Sequence, residues 1–429
     1  MDARFTPELQ RRAIVKVSWR LLPLVVVAYL VAYIDRTNIA VAALTMNKDL
    51  GFSASLYGIG YALFEVPSNM VLEKVGARMW IARIMITWGI VSGLMATVSG
   101  PVSFLVLRFL LGVAEAGFFP GMILYFTYWF PARYRGRVIS TLFIAVPVAN
   151  AVASVLSGAI MEMDGILGLK GWQWVFIIEA IPAGALAFVV LRYMTDRPGV
   201  AKWLDADEKE WLEGELHAER SMVDAAGKLS VLQVLTDPRV LAISAIYFFS
   251  AAANYGITFF LPQIVKGLGH SNLMTGFLTA IPYTVGVLGL LAFGYSSDRF
   301  MERRRHLIAA ATVGGCGFLL AAWAGNSYWA LAAMCIATIG TYGSRPTMWP
   351  MPSQFLTGAS AAVGIALINS IGNLGGYVGP FVVGWIKDST KSFEMGVYFL
   401  AACAFMSALV TYVARRATGA RDHTLGARA

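Results

Sequence analysis

A chain of 429 residues that is 58% hydrophobic and only 14% charged is too apolar for an ordinary soluble enzyme or binding module, so its main solvent is lipid. A net charge of +9 raises nucleic acid as a partner, but the charges lie where membrane topology needs them. No nucleic-acid partner is expected.

Runs of about 20 apolar residues, enough to cross a ~30 Å hydrocarbon layer as helix, recur along the chain. They cover 21–44, 55–75, 79–98, 102–130, 138–161 and 172–193, then 240–265, 272–295, 307–325, 328–348, 354–386 and 393–413, twelve spans in all. Their unbroken length excludes a β-barrel, whose strands alternate in polarity over about ten residues. With the amino terminus inside, the inward-facing segments hold 26 of the 34 Lys and Arg, the outer loops hold 5, and Arg36, Arg108 and Arg345 fall within spans. That asymmetry places both termini in the cytoplasm.

Residues 1–20 form a basic, amphipathic segment in which Thr6 supplies an N-cap and Pro7 a first-turn proline, read as an interfacial helix on the inner leaflet. The first run lacks a cleavage site and is too long for a signal sequence, so it is retained as the first span. Residues 21–193 then form a first six-helix bundle and 240–413 a second. Between them, 194–239 is a cytoplasmic linker with a short helix started by Asp205, and 414–429 is a cytoplasmic tail. Asn69-x-x-x-Glu73-Lys74-x-Gly76-x-Arg78 after the second span has a counterpart in Gly294-x-x-x-Asp298-Arg299 after the eighth. Two equivalent halves are therefore expected, as in transporters that rock one repeat against another.

The first span carries Asp35 and Arg36. An ionised side chain at membrane depth costs roughly 2.5–3.5 kcal/mol on insertion scales, so several such groups point to function. At about 1.5 Å per residue, Asp35 and Arg108 of the fourth span sit at the same depth, about 9 Å below the outer boundary. Glu115, seven residues beyond Arg108, shares its face. Arg36 points about 100° from Asp35, on the stripe Tyr29, Tyr33, Arg36, where it can face a cavity. The functional reading makes Arg36 the anion hook and gives Asp35 and Glu115 the protons, tuned by Arg108. The structural alternative is a permanent ion-pair cluster locking the first and fourth spans together. Glu65 is left open between cavity lining and a structural hydrogen bond, and Glu179 is read as structural. Arg345, about 24 Å along its span by helical rise, is expected to snorkel to the cytoplasmic interface.

In the second half, Asn254-Tyr255 and Trp349, the latter among Pro346, Pro350 and Pro352, are candidate pocket residues. In the eleventh span, Gly372-x-x-x-Gly376 and Gly375-x-x-x-Gly379 fit close helix packing, while Asn369 and Asn373 share one face and form an amide ladder suited to binding. Cys316, Cys335 and Cys403 lie in apolar spans with no motif spacing and are read as packing residues; no metal and no cofactor is expected. None of His217, His270, His306 and His423 lies inside a span, and no Cys or Ser pairs with a base. A membrane-embedded enzyme is therefore not expected.

Three stretches identify a family: Ala32-Tyr33-Ile34-Asp35-Arg36-Thr37-Asn38, Leu107-Arg108 with Glu115-Ala116-Gly117-Phe118-Phe119-Pro120, and Trp129-Phe130-Pro131. They resemble the major facilitator superfamily, and within it the anion:cation symporters. Phe64-Glu65-Val66-Pro67-Ser68-Asn69 and the 368–376 segment resemble the tartrate and phthalate permease branch, related to galactonate and glucarate permeases. The resemblance implies an all-α membrane protein of the major facilitator fold, with twelve transmembrane helices in two pseudo-symmetric six-helix bundles. It also implies a bacterial inner-membrane proton symporter of small organic carboxylates, functional as a monomer in the bilayer. By similarity Asp35 and Glu115 match the family's protonation sites, Arg36 its carboxylate-binding arginine, Arg108 the coupled arginine, and Tyr33 and Tyr61 pocket tyrosines. A sugar-acid relative carries a pocket glutamine where this chain has Val146-Pro147-Val148, which leans the pocket toward a less polar carboxylate. The sequence leaves symport open against uniport or exchange.

Overall fold

The computed structural model describes residues 5–51, 76–115, 117–225, 236–352, 356 and 358–414, and every regular element among them is a helix. The predicted second span, with Tyr61 and Glu65, lies outside the described residues. By contacts the chain divides into two units, one of the described residues up to Ala225 and one of those from Thr236 onward.

In the first unit, α1 (Pro7–Leu50) starts as the sequence predicts: Leu9 N–H donates to Thr6 Oγ1 at 3.3 Å and Pro7 opens the first turn. It ends at Gly51, whose φ of 66° is the left-handed turn that terminates helices. The segment 1–20 is not a separate interfacial helix, because from Pro7 onward it continues into the first span without a break. Its polar face is occupied by α7 (Ala206–Ala225) of the linker. Arg12 Nε donates to Glu208 Oε1 at 2.8 Å, and Lys16 Nζ donates to Asp205 at 2.8 Å and to Glu208 at 3.0 Å. The hydrogen bond from Lys16 holds the Asp205 carboxyl below the usual carboxylate range. Asp205 precedes α7 as expected of an N-cap, and Glu208 reaches back to its backbone N–H at 3.1 Å.

The remaining helices of this unit are α2 (Ala77–Leu94), α3 (Pro101–Glu115), α4 (Phe118–Thr127), α5 (Ala132–Ile160) and α6 (Gly171–Tyr193). The predicted span 102–130 is therefore not one helix. It breaks where Gly117 takes φ 85°, a conformation that only a residue without Cβ adopts readily. The second unit contains α8 (Pro238–Lys266), α9 (Asn272–Arg299), α10 (Arg304–Ala324), α11 (Tyr328–Met348), α12 (Gly358–Thr390) and α13 (Glu394–Val413).

Equivalent helices pair in both units. α1 packs on α5 and α6, as α8 packs on α12 and α13; α2 packs on α6 and α3, as α10 packs on α13 and α11. That is the internal repeat expected from the motif spacing. Among the described residues eight helices are long and apolar enough to cross a membrane. The glycines of α12 pack as predicted: a Cβ on Gly375 would lie 2.0 Å from the Phe248 carbonyl oxygen of α8, and one on Gly379 would lie 2.2 Å from that of Ala252. Close backbone approach substitutes for the hydrophobic drive that helices lack in lipid.

Gly375→Ala should therefore lower the melting temperature of the purified protein in detergent, at an overpacking cost of about 1–3 kcal/mol. Gly184→Ala in α6, where a Cβ meets nothing within 4 Å, should leave it unchanged.

Candidate functional site

α1 places Asp35 and Arg36 on different faces, and each meets a different helix. Asp35, 1% exposed, accepts a short hydrogen bond from Ser92 Oγ of α2 and one from Asn38 Nδ2 of its own helix at 3.3 Å. Its other oxygen, Oδ2, has no hydrogen-bond partner among the described residues. Arg36 Nε donates to Glu115 Oε2 at 2.9 Å, and its guanidinium lies 5.3 Å from the centre of the Tyr33 ring. Tyr33 in turn packs edge-on against Tyr29 at 4.9 Å. The predicted stripe Tyr29, Tyr33, Arg36 is thus a real face, but Glu115 takes up the guanidinium expected to face a cavity.

Arg108 and Glu115 both act electrostatically on Asp35, which agrees with the depth bookkeeping that brought the first and fourth spans level. Glu115 is the last residue of α3, and the turn at Gly117 follows it. The site's groups therefore come from α1, α2 and α3, with two acids and two guanidinia in one apolar bundle.

Glu179 of α6 has partners that sequence reasoning missed. Ser157 Oγ of α5 donates to its Oε1 at 2.5 Å, and Asn38 also bears on it. Ser92 and Ser157 are small polar residues in apolar runs, and Asn38 follows Asp35-Arg36-Thr37. Their signal was present only as the i+3 spacing of Asn38 from Asp35.

In the second unit, Tyr255 and Trp349 pack on the apolar cluster around Tyr247 and Ile368. Trp349 meets the Tyr247 ring edge-on at 5.2 Å, and Tyr255 lies over Gly376. Asn369 is buried and Asn373 half-buried on α12. Arg345 corrects the sequence reading. It does not snorkel: it is 5% exposed, and its Nη2 donates to Asn254 Oδ1 at 2.7 Å. Helical rise gave its depth but not the neighbouring helix that covers it.

Two helical bundles of matching internal pairing, with acids and guanidinia held at membrane depth, define a multi-pass membrane transporter. The chain belongs to the major facilitator superfamily, whose family model matches residues 25–380. A protein of Agrobacterium vitis named "Putative tartrate transporter" is 50% identical over 95% of this chain and 96% of its own length. A "Quinolone resistance transporter" of Acinetobacter baumannii is 42% identical over 95% of each. In fold, the chain is similar to the crystal structure of a bacterial homolog of the human lysosomal transporter Spinster, with TM-score 0.73, 18% identity, and coverage of 92% of this chain and 96% of that one. It is a transporter and not an enzyme.

The Arg36–Glu115 pair is open to a direct thermodynamic check. Arg36→Gln and Glu115→Gln should each destabilise the purified protein by up to about 3–5 kcal/mol, because each removes one partner of an ion pair held within an apolar bundle. The double variant should cost clearly less than the sum of the two, as read by a double-mutant cycle of melting temperatures.

Proposed function

We propose that the protein is a proton-coupled symporter that imports a small organic anion across the bacterial inner membrane by alternating access, with both termini cytoplasmic and the monomer as the working unit. The substrate class is a carboxylate: a tartrate-like hydroxy acid, a sugar acid or an aromatic acid. The observation that carries the reading is the 2.9 Å bond between Arg36 and Glu115 beside the buried Asp35.

The chemistry follows from one guanidinium with two competing anions. While Glu115 is ionised it occupies Arg36. A proton on Glu115 neutralises that carboxyl and releases the guanidinium to a substrate carboxylate, so Arg36 exchanges one anion for another and is not left alone in a medium of low dielectric. The proton and the anion then cross together, each offsetting part of the other's desolvation. Asp35 is the second proton position, held by Ser92 and Asn38 and within the field of Glu115 and Arg108. Tyr33 orients the guanidinium from its ring face. The relatives named for tartrate support the carboxylate class. The relative named for quinolone resistance gives the second reading, outward movement in exchange for protons.

The test is uptake into proteoliposomes across a panel of hydroxy, sugar and aromatic carboxylates. Acid outside should drive accumulation of at least one, and a protonophore should abolish it. Asp35→Asn should lose gradient-driven accumulation while retaining exchange of labelled substrate. No carboxylate moving under any gradient would sink the proposal, and full accumulation by Asp35→Asn would return that residue to a purely structural role. Accumulation only under acid inside would replace import by export.

A further inference from the structure

Glu179 of α6 is 2% exposed and lies at nearly the depth of Asp35. Counted at about 1.5 Å per residue from Trp172, it sits roughly 10 Å below the outer boundary. Its helix packs on α1, α2 and α5. From α5, Ser157 Oγ donates to Glu179 Oε1 at 2.5 Å. From α1, the side chain of Asn38 and the charge of Asp35 both act on it, while α2 gives its Ser92 to Asp35. Among the described residues no cation acts on Glu179, and the one ionisable group that does is another acid.

Asn38 stands between the two acids. It is fully buried, and its Nδ2 donates to Asp35 Oδ1 at 3.3 Å. Three acceptor oxygens of this cluster, Asp35 Oδ2, Asn38 Oδ1 and Glu179 Oε2, are buried with no hydrogen-bond partner among the described residues. What the cluster lacks is a donor. Two carboxylates that act on each other disfavour their common ionisation, and a carboxylate without a cation is costly at membrane depth. A proton on Glu179 Oε2 removes the repulsion and turns one unmet acceptor into a donor. Asp35 is the better seat for the remaining charge, because Ser92 and Asn38 both donate to it and Arg108 acts on it against Glu115.

We propose that Glu179 carries a proton whenever Asp35 is ionised, so that the two acids, bridged by Asn38, form one proton-binding pair contained in the first unit. This rests on the reading of Asp35 as a proton position, and it makes Glu179 a third acid of that site in place of a purely structural one. The proton assigned to Asp35 then belongs to the pair, and the two carboxyls titrate together.

The experiment is infrared spectroscopy of the purified full chain across a pH series, in heavy water and in a detergent free of ester carbonyls. At neutral pH the wild type should show the C=O band of a protonated carboxylic acid, and Glu179→Gln should lose it. Asp35→Asn should keep the band but lose it at a lower pH than the wild type, because removing the like charge makes an ionised Glu179 easier to hold. Ser157→Ala serves if Glu179→Gln does not fold: freeing Oε1 from its donor should move the same band to higher frequency. Loss of a carboxylate band alone in Glu179→Gln, or an acid band untouched by Ser157→Ala, would show an ionised Glu179 and overturn the inference. So would a band whose titration ignores Asp35→Asn, since the two acids would then not form a pair. The readout does not depend on transport: a Glu179 band without gradient-driven uptake would remove the symport reading and leave this one standing, whereas gradient-driven uptake without the band would do the reverse.

Discussion

The bond between Arg36 and Glu115 ties two helices by a charge that neither could carry alone. In hydrocarbon an isolated guanidinium or carboxylate is among the most expensive groups a helix can present. The pair is therefore not an ornament on a bundle that would form anyway. The pair joins α1 to the end of α3, while the adjacent Asp35 faces α2, where Ser92 and its own Asn38 receive it. Two neighbouring residues thus link α1 to two different helices, beside its broader packing on α5 and α6.

The two units share a pattern of helix pairing but not a pattern of charge. In the first, Asp35, Glu115 and Glu179 are all nearly inaccessible, and Arg36 is paired with Glu115. In the second, the buried cation Arg345 is met by a neutral amide. A repeat whose backbone packing is conserved between halves while its ionisable groups are not has separated two tasks. Packing, built on bare backbone contacts such as Gly375 against Phe248, is common to both. Proton chemistry, in the proposed mechanism, belongs to the first half alone.

How much of this was legible in the sequence depended on whether the signal was local. Asp35 and Arg36 stood out because a charge in an apolar run is anomalous at once, and the glycine spacing of α12 encoded its packing because i, i+4 geometry is intrinsic to one helix. The N-cap at Thr6 and the helix start at Asp205 were readable for the same reason. Arg345 was misread because its depth along α11 is local information, whereas its cover by Asn254 comes from a helix 91 residues earlier in the chain. Glu179 lacked a visible partner because Ser157 is on another helix. The break at Gly117 was hidden inside an apolar run, where a glycine reads equally as packing or as a turn.

α1 is fastened at three levels, and this bears on how a local exchange of anions could matter to the whole bundle. Near its start Arg12 and Lys16 are held by α7. Midway Asp35 and Arg36 engage α2 and α3. Near its end Asp49 accepts from Trp172 Nε1 of α6 at 3.1 Å. The outer two levels do not involve the proposed proton sites. In the proposed mechanism only the middle level changes partner. In that mechanism a helix pinned at both ends and switchable at its centre leaves the identity of the anion at Arg36 to decide which states are affordable in lipid, which is how a bound proton and a bound anion become coupled.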